Sequence, residues 1–224
     1  MFIAKVRELC SVHEINRLYW RDTASTIKAY TLSSTWRILD LLAQACALLN
    51  CDGVLGPAIL ARSLIELTTV FVQTGGAVRE IVTSAATIWS DKVIASEDLE
   101  GLLGKALHGT RTVPEGDFYR QTNVVTHIQK LSRIAGFEDV PKYYERLCEV
   151  AHPNALGNAR FWSDGGVPQS DGAVLWSGGP GVVNTAVNQI QDDTLWALAW
   201  SGANALAGFG ILDEQVRTIA RAFP

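Results

Sequence analysis

The chain has 224 residues, 48% of them hydrophobic and 19% charged, with a formal net charge of -4 at pH 7 and a pI of about 5.6. This length can bury a substantial core, and no low-complexity tract or block of like charge marks a disordered tail. The negative charge excludes an overall positive field that would draw the protein to phosphate backbones or anionic lipid. We therefore predict one folded domain spanning residues 1–224.

The first half of the chain predicts five helices. Asp22 or Thr23 can cap the second helix, and Pro57 suits the first turn of the third. The pair Gly75-Gly76 predicts the end of that third helix, because glycine favours a break in helical backbone. The predicted ranges are about Ile3–Trp20, Asp22 or Thr23 to Asn50, Pro57–Gln73, Ala77–Ile94 and Ser96–Leu107.

The third predicted helix is apolar nearly all round, which indicates a central position in a bundle. Its polar residues follow one another at steps of four, three and four, so they form one stripe along the helix. The stripe consists of Arg62, Glu66, Thr69 and Gln73. Arg62 and Glu66 are predicted to pair with each other or with Tyr144 and His152 on a neighbouring helix, because unpaired charges on a central helix are costly. The alternative is a functional role for the two charges.

The second half of the chain predicts shorter helices, a β-hairpin and a long final helix. Gly109–Thr122 lacks periodicity and indicates a surface loop. His152-Pro153 predicts the end of the helix that precedes this pair, because proline cannot continue a helix. Two helices are predicted at about Asn123–Ile134 and Pro141–Ala151. A hairpin at about 158–177 is predicted from two apolar runs with a long tip between them, Ala159–Trp162 and Ala173–Trp176.

The final helix begins near Val182 and is predicted to bend or break around Gly208 and Gly210. Its uncharged stretch Thr194–Leu212 is about as long as a bilayer span. Acidic residues flank it on both sides without a basic residue to set its orientation, so we interpret it as a buried core helix rather than a membrane span. The predicted fold class is all-α: a helical bundle with a small β-hairpin before the long C-terminal helix.

The cysteines and the N-terminus favour a cytoplasmic protein. The chain contains four cysteines, Cys10, Cys46, Cys51 and Cys148. They form no Cys-x-x-Cys pair, and their spacing is not typical of a disulfide framework or a zinc site. Charges at positions 5, 7 and 8 interrupt the apolar run that a signal peptide needs. We expect reduced thiols, no bound metal and no cofactor.

The segment that ends at His152 is the strongest candidate for chemistry. Five residues separate Arg146 from His152, a spacing similar to the Arg-x(4–6)-His motif of HEPN-type metal-independent ribonucleases. In such a pair the histidine can exchange a proton with a ribose hydroxyl while the arginine stabilises charge on the phosphate. The alternative interpretation is structural, with His152 placed favourably at the negative end of its own helix.

Two weaker patterns also concern binding chemistry. Glu149 and His152 form one Glu-x-x-His pair, whereas a di-metal helical bundle needs a second such pair and two further carboxylates. Basic residues surround the loop at Gly109 and could hold a phosphate; the alternative interpretation is a solvated loop of mixed charge. They are Lys105, His108, Arg111 and Arg120.

Several motifs together resemble an uncharacterised family of bacterial helical proteins grouped with HEPN-like folds. The family pairs an Arg-x-x-x-Glu helix, here Arg62 to Glu66, with a Tyr-x-x-Leu-(Ser/Cys)-x-x-x-His-Pro helix, here Tyr144 to Pro153. The resemblance covers about Ala58–Gly181. It implies a helical bundle with a polar cluster of Arg62, Glu66, Tyr144 and His152, next to Asn154. It does not imply a reaction.

The leading functional hypothesis is a cytoplasmic binding or regulatory module in a stress or defence setting. The alternative is a metal-independent endoribonuclease that uses Arg146 and His152. A third possibility is a small-ligand pocket lined by some of the seven tryptophans. A homodimer is compatible with the first two hypotheses, an RNA partner belongs to the ribonuclease alone, and no membrane association is expected.

Overall fold

A computed structural model describes residues 11–110, 122–152, 163–178 and 185–224. Within these ranges the chain forms six α-helices and one antiparallel pair of short strands. In chain order the elements are α1 (Val12–Leu49), α2 (Leu55–Ala86), α3 (Glu97–His108), α4 (Val124–Leu131), α5 (Val140–Ala151), β1 (Ser163–Pro168), β2 (Val174–Gly178) and α6 (Thr185–Ala222).

The predicted fold class needs a correction at the β-hairpin. The predicted first strand, Ala159–Trp162, lies outside the described residues, and Asp164-Gly165-Gly166, predicted as part of the tip, lies inside β1. The chain reverses instead over residues 169–173, where Gly172 has a φ of 83° that favours glycine. The hairpin with a long tip is therefore wrong. The class is all-α, because this ribbon of two short strands adds no sheet layer to a fold that six helices dominate.

The first two predicted helices form one continuous helix, α1. Thr23, expected as a cap, donates its hydroxyl to the carbonyl of Tyr19 one turn earlier at 2.9 Å, and Thr31 does the same with Ile27 at 2.7 Å. A hydroxyl satisfied in this way fits a helix interior, whereas a cap would bond amides that follow it. The predicted break near residue 22 is therefore wrong.

Helix α2 likewise continues through Gly75-Gly76, and α6 continues through Gly208 and Gly210. A Cβ atom on Gly75 would lie 3.6 Å from the side chain of Leu212, in ordinary van der Waals contact. This glycine thus sits where α2 packs closely against α6. The penalty of glycine in a helix is only about 1 kcal/mol relative to alanine, and packing can outweigh it.

The prediction for α3 is confirmed within one residue at each end. The hydroxyl of Ser96 accepts a hydrogen bond from the amide of Leu99 at 3.2 Å, so Ser96 is the N-cap. Three acidic residues lie in the first turn, Glu97, Asp98 and Glu100. Their charges are favourable at the positive end of the helix dipole, which makes this helix predictable from local sequence alone.

The chain divides into two compact units, with boundaries that fall inside α1, α2, α4 and α6. Unit 1 comprises Met1–Trp36, Val70–His127 and Asn204–Pro224, and unit 2 comprises Arg37–Thr69 and Ile128–Ala203. The single domain over residues 1–224 stays a prediction.

Aromatic packing and one buried asparagine hold unit 1 together. The Trp89 ring packs edge-on against both Trp20 and Phe223, with ring centres 5.1 Å apart in each case. Asn16 is fully buried, and its amide nitrogen donates to the carbonyls of Trp89 and Lys92 at 2.9 Å each. Its amide oxygen accepts from the backbone nitrogen of Ile94, also at 2.9 Å. One side chain therefore fixes the segment that follows α2.

A close helix contact in unit 1 gives a testable prediction at Gly208. A Cβ atom there would lie 2.9 Å from two ring carbons of Phe71, which is fully buried and cannot move aside easily. We expect Gly208→Ala to lower the free energy of unfolding by about 1–3 kcal/mol through overpacking.

The control is Gly210→Ala, because that position is exposed and a Cβ atom there would meet no side chain of the described residues within 4 Å. The control should be neutral or stabilising by about 0.5–1 kcal/mol. Equal melting temperatures of the two variants would contradict the prediction.

Unit 2 has its own apolar core. It includes fully or almost fully buried side chains from α2, α5 and α6, among them Leu64, Ile65, Val140, Leu147, Val150, Ile190, Ala197 and Leu198. The Cβ direction of Gly202 points at the side chain of Leu42, at 3.9 Å. Helices α1 and α6 therefore pack against each other inside this unit.

Among the described residues, two helices are long and apolar enough to cross a membrane by length and composition alone. They are Leu55–Ala86, with 44% of its most apolar window buried, and Val187–Ala222, with 33% buried. The central helices of soluble proteins pass the same criterion. The absence of membrane association and the cytoplasmic location therefore stay predictions.

Candidate functional site

Three residues of the predicted polar cluster contact one another in unit 2. The guanidinium of Arg62 lies 3.1 Å from the carboxylate of Glu66 one turn later on α2, and the hydroxyl of Tyr144 on α5 donates to the same carboxylate oxygen at 2.8 Å. The Arg62 guanidinium also lies over the Tyr144 ring, 5.8 Å from its centre. These contacts link α2 to α5.

The cluster is arranged to keep Tyr144 protonated. Burial, together with the hydrogen bond to Glu66, raises the pKa of Tyr144 to about 12, although the hydrogen bond from Arg62 opposes this rise. The pKa of Arg62 also rises, because its interactions with Tyr144, Cys148 and Glu66 outweigh the lowering effect of burial. A tyrosine that stays neutral serves as a hydrogen-bond donor, so these contacts favour a packing role over acid–base chemistry near neutral pH.

His152, a further predicted member of the cluster, lies at the end of α5. His152 is the C-cap of α5, where its backbone amide donates to the carbonyl of Cys148 at 3.1 Å, and the residue is exposed to solvent. Asn154 lies outside the described residues. Gln73, from the predicted polar stripe, pairs instead with the His127 ring in unit 1 at 2.7 Å.

Arg146 makes an ion pair that sequence reasoning missed. Its guanidinium contacts the carboxylate of Asp193 on α6 at 2.5 Å, and Gln189 donates to the same oxygen at 3.1 Å. The side chain of Asp193 is only 4% exposed, whereas that of Arg146 is 32% exposed. Burial raises the pKa of Asp193, while the charge of Arg146 and the two hydrogen bonds oppose that rise. The positive charge of Arg146 is therefore compensated within the unit.

The two members of the predicted catalytic pair have different surroundings. Arg146 lies within α5, whereas His152 follows its last residue with an extended backbone. Arg146 points to Asp193 on α6, while His152 is exposed at the end of the helix. A catalytic pair built from these two residues alone would need Arg146 to leave a buried carboxylate.

The predicted anion-binding residues are only partly described. Lys105 and His108 lie in the last turn of α3, where positive charge is favourable at the negative end of the helix dipole. Arg111 and Arg120 lie outside the described residues. The helix dipole is therefore sufficient to explain why Lys105 and His108 stand at this end of α3.

No group of three or more His, Cys, Asp or Glu side chains in the described ranges is arranged to hold a metal ion.

The most distinctive surface of unit 2 is a row of aromatic rings, which we call the aromatic face and define as Phe137, Tyr143, Trp196 and Trp200. Tyr143 and Trp196 stack face to face, with ring centres 3.7 Å apart and planes 8° apart. Trp196 and Trp200 are nearly parallel at 5.9 Å, and Phe137 meets Trp200 edge-on at 6.2 Å. All four side chains are partly exposed.

Two cations lie beside one ring of the aromatic face, and two exposed aliphatic residues are close to its members in sequence. Lys142 and Arg146 each lie 5.6 Å from the centre of the Tyr143 ring, within the range of cation–π interactions. Leu195, next to Trp196, is 54% exposed, and Ile134, three residues before Phe137, is 53% exposed. Unit 2 therefore presents both aromatic and aliphatic groups to solvent around its α5–α6 contact.

One signal for the aromatic face was available in the sequence. Trp196 and Trp200 are four residues apart, so a helix through them places both rings on one side. Nothing local in the sequence shows that Tyr143 stacks on them, because that contact depends on how α5 packs against α6.

Comparison of the chain with protein-family models, curated proteins and solved structures finds no match. The resemblance to HEPN-like helical proteins therefore stays a prediction. The function has to be argued from the contacts of this chain alone.

Proposed function

We propose that the protein is a protein-binding module that engages its partner through the aromatic face of unit 2. The observation that carries this proposal is the partly exposed stack of Tyr143, Trp196 and Trp200, and the exposed Leu195 precedes Trp196 in sequence. Tryptophan, tyrosine and arginine dominate the energetic centres of protein interfaces. Rings that already support one another also lose little conformational freedom when a partner binds.

The stacking favours a protein partner over a nucleic acid. Proteins that bind single strands offer aromatic faces on which bases stack. Here Tyr143 and Trp196 cover each other's faces at 3.7 Å, so their paired surfaces cannot accept a base. One of the two cations beside this stack, Arg146, is compensated by Asp193 and has less charge to offer a phosphate. The net charge of -4 opposes the same ligand.

A photoreactive amino acid at position 195 tests the proposal. Benzoylphenylalanine in place of Leu195 would be next to Trp196 at an exposed position, and the matched control replaces Leu18 of unit 1, which is 65% exposed. We expect irradiation in cells of the source organism to give a discrete protein adduct from position 195 and none from position 18. The additional substitution Trp200→Ser should reduce the adduct at least about tenfold if the ring is an energetic centre.

Each other result of this experiment contradicts the proposal in a defined way. An adduct that nuclease treatment removes would indicate RNA, and an adduct with the mass of two chains would indicate a homodimer. Equal adducts from positions 195 and 18 would indicate non-specific contact. Absence of any adduct from position 195 would leave the aromatic face without a partner.

The endoribonuclease hypothesis has less support from the contacts. It needs the guanidinium of Arg146, which Asp193 holds, and the imidazole of His152, which is exposed at a helix end. An RNA-cleavage assay of the wild type beside His152→Ala addresses it directly. Cleavage by the wild type that His152→Ala abolishes without a change in melting temperature would favour the ribonuclease.

A further inference from the structure

We infer that the partner presents a basic amphipathic segment to the aromatic face, with apolar side chains against the rings and lysine or arginine on its flanks. This inference rests on the proposed function and adds the chemistry of the partner. It is carried by the charges that border the aromatic face on the described elements.

Two aspartates lie one helical turn from the stacked rings. Asp139 and Asp192 stand four residues before Tyr143 and Trp196, so each lies one helical turn from a ring on the same side of its helix. Both are exposed. Asp139 occupies the N-cap position of α5, yet its side chain makes no capping hydrogen bond. Its carboxylate is therefore not used by the helix that it begins.

The charges around the aromatic face are mostly negative. The exposed carboxylates next to Phe137 in sequence or one helical turn from Tyr143 or Trp196 are Glu138, Asp139 and Asp192, and the exposed cations nearby are Arg133 and Lys142. Arg146 and Asp193 cancel each other. Three negative and two positive groups leave a local excess of one negative charge. Complementary charge in a partner would speed encounter and fix its orientation.

The same charges weigh against three other occupants. Anionic lipid and RNA would meet a negative border, and a second copy of this chain would bring one negative border against another. A basic partner is the occupant for which both the rings and the carboxylates are favourable. Basic amphipathic helices laid in apolar grooves are a recurring mode of protein recognition.

Two synthetic peptides separate these occupants. The first is a leucine–lysine helix about 18 residues long, roughly five turns, and the second has glutamate in place of every lysine. We expect the full-length protein to bind the lysine peptide, measured by titration calorimetry and by a change in tryptophan fluorescence. The glutamate peptide, single-stranded RNA and vesicles with anionic lipid should not bind.

The variant Asp139→Asn with Asp192→Asn tests the carboxylates. It should weaken binding of the lysine peptide roughly tenfold and reduce the dependence of binding on salt. The matched control is Asp22→Asn with Glu80→Gln, which removes two exposed carboxylates from unit 1 and should leave binding unchanged. Melting curves of both double variants show whether each is folded.

The outcomes distinguish this inference from the proposed function. Equal binding of the two peptides, or equal affinity of the two double variants, would overturn the basic partner. Binding of RNA or anionic vesicles in place of the lysine peptide would also overturn it. A protein adduct from position 195 alongside any of these results would leave the proposed function standing. Absence of both the adduct and peptide binding would contradict the proposed function as well as the basic partner.

Discussion

Replacing Asn16 by alanine is expected to lower the free energy of unfolding by about 3–5 kcal/mol. The substitution removes three hydrogen bonds of 2.9 Å in a fully buried position and leaves the carbonyls of Trp89 and Lys92 and the amide of Ile94 without this partner. Each buried polar group that loses its partner costs about 1–3 kcal/mol. Denaturant unfolding monitored by circular dichroism measures the loss.

The matched control is Gln44→Ala on the same helix. Its amide donates to Asp40 at 2.9 Å but is exposed, so water replaces the lost bond and the change should stay within about 0.5 kcal/mol. Hydrogen exchange adds a local measurement, because the amide of Ile94 should exchange faster in Asn16→Ala than in the wild type. Equal stabilities of the two variants would show that Asn16 does not fix the segment after α2.

Asn16 also shows where local sequence stops being informative. An asparagine inside a long helix has a low helix propensity and no obvious role there. It stabilises the fold through hydrogen bonds with backbone carbonyls and an amide of residues more than seventy positions away. No periodicity or spacing predicts such a contact, because it depends on the path of the chain after α2.

The correct and the wrong helix boundaries have a common physical explanation. The cap at Ser96 was predictable because its hydrogen bond is made within three residues. The predicted breaks at Thr23 and at Gly75-Gly76 are wrong because continuous packing outweighs weak local preferences. Sequence therefore located the helical segments well but divided them too often.

In the candidate site, too, contacts within one helix were predictable and contacts between helices were harder to predict. The pair Arg62–Glu66 has helical spacing, and its ion pair at 3.1 Å agrees with the interpretation that these residues pair. The contact of Tyr144 with Glu66 joins two helices and was one of the expected alternatives for the charges of the central helix. Asp193 appeared in the sequence merely as a charge near an apolar stretch, because nothing local indicated that Arg146 would cover it.

Replacing Arg146 by alanine should lower the free energy of unfolding by about 2–4 kcal/mol at pH 7. The substitution leaves the carboxylate of Asp193, 4% exposed, without its countercharge, and breaking a buried ion pair on one side costs about 3–5 kcal/mol. Because Arg146 is partly exposed, we expect a loss near the lower end of this range. The control is Arg217→Ala, whose ion pair with Asp213 is mostly exposed and should contribute less than about 0.5 kcal/mol.

The cost of Arg146→Ala should depend on pH in a defined direction. Burial already raises the pKa of Asp193, and loss of the Arg146 charge removes the main opposing effect, so the pKa rises further. A carboxyl whose pKa is higher in the folded than in the unfolded chain favours folding below its unfolded pKa of about 3.9, and this contribution is lost as the pH rises through the folded pKa. The variant should therefore lose less stability relative to wild type at acidic pH than at pH 7.

A second substitution separates the buried charge from other effects of losing Arg146. Asp193→Asn in the Arg146→Ala background removes the unpaired charge, while an asparagine oxygen can still accept from Gln189. We expect it to restore most of the lost stability and to abolish the pH dependence of the difference, as measured by unfolding at acidic and neutral pH. A double variant no more stable than Arg146→Ala would place the role of Arg146 outside this ion pair. The cation–π contact of Arg146 with Tyr143 would then account for most of the lost stability, and the substitution would also disturb the aromatic face.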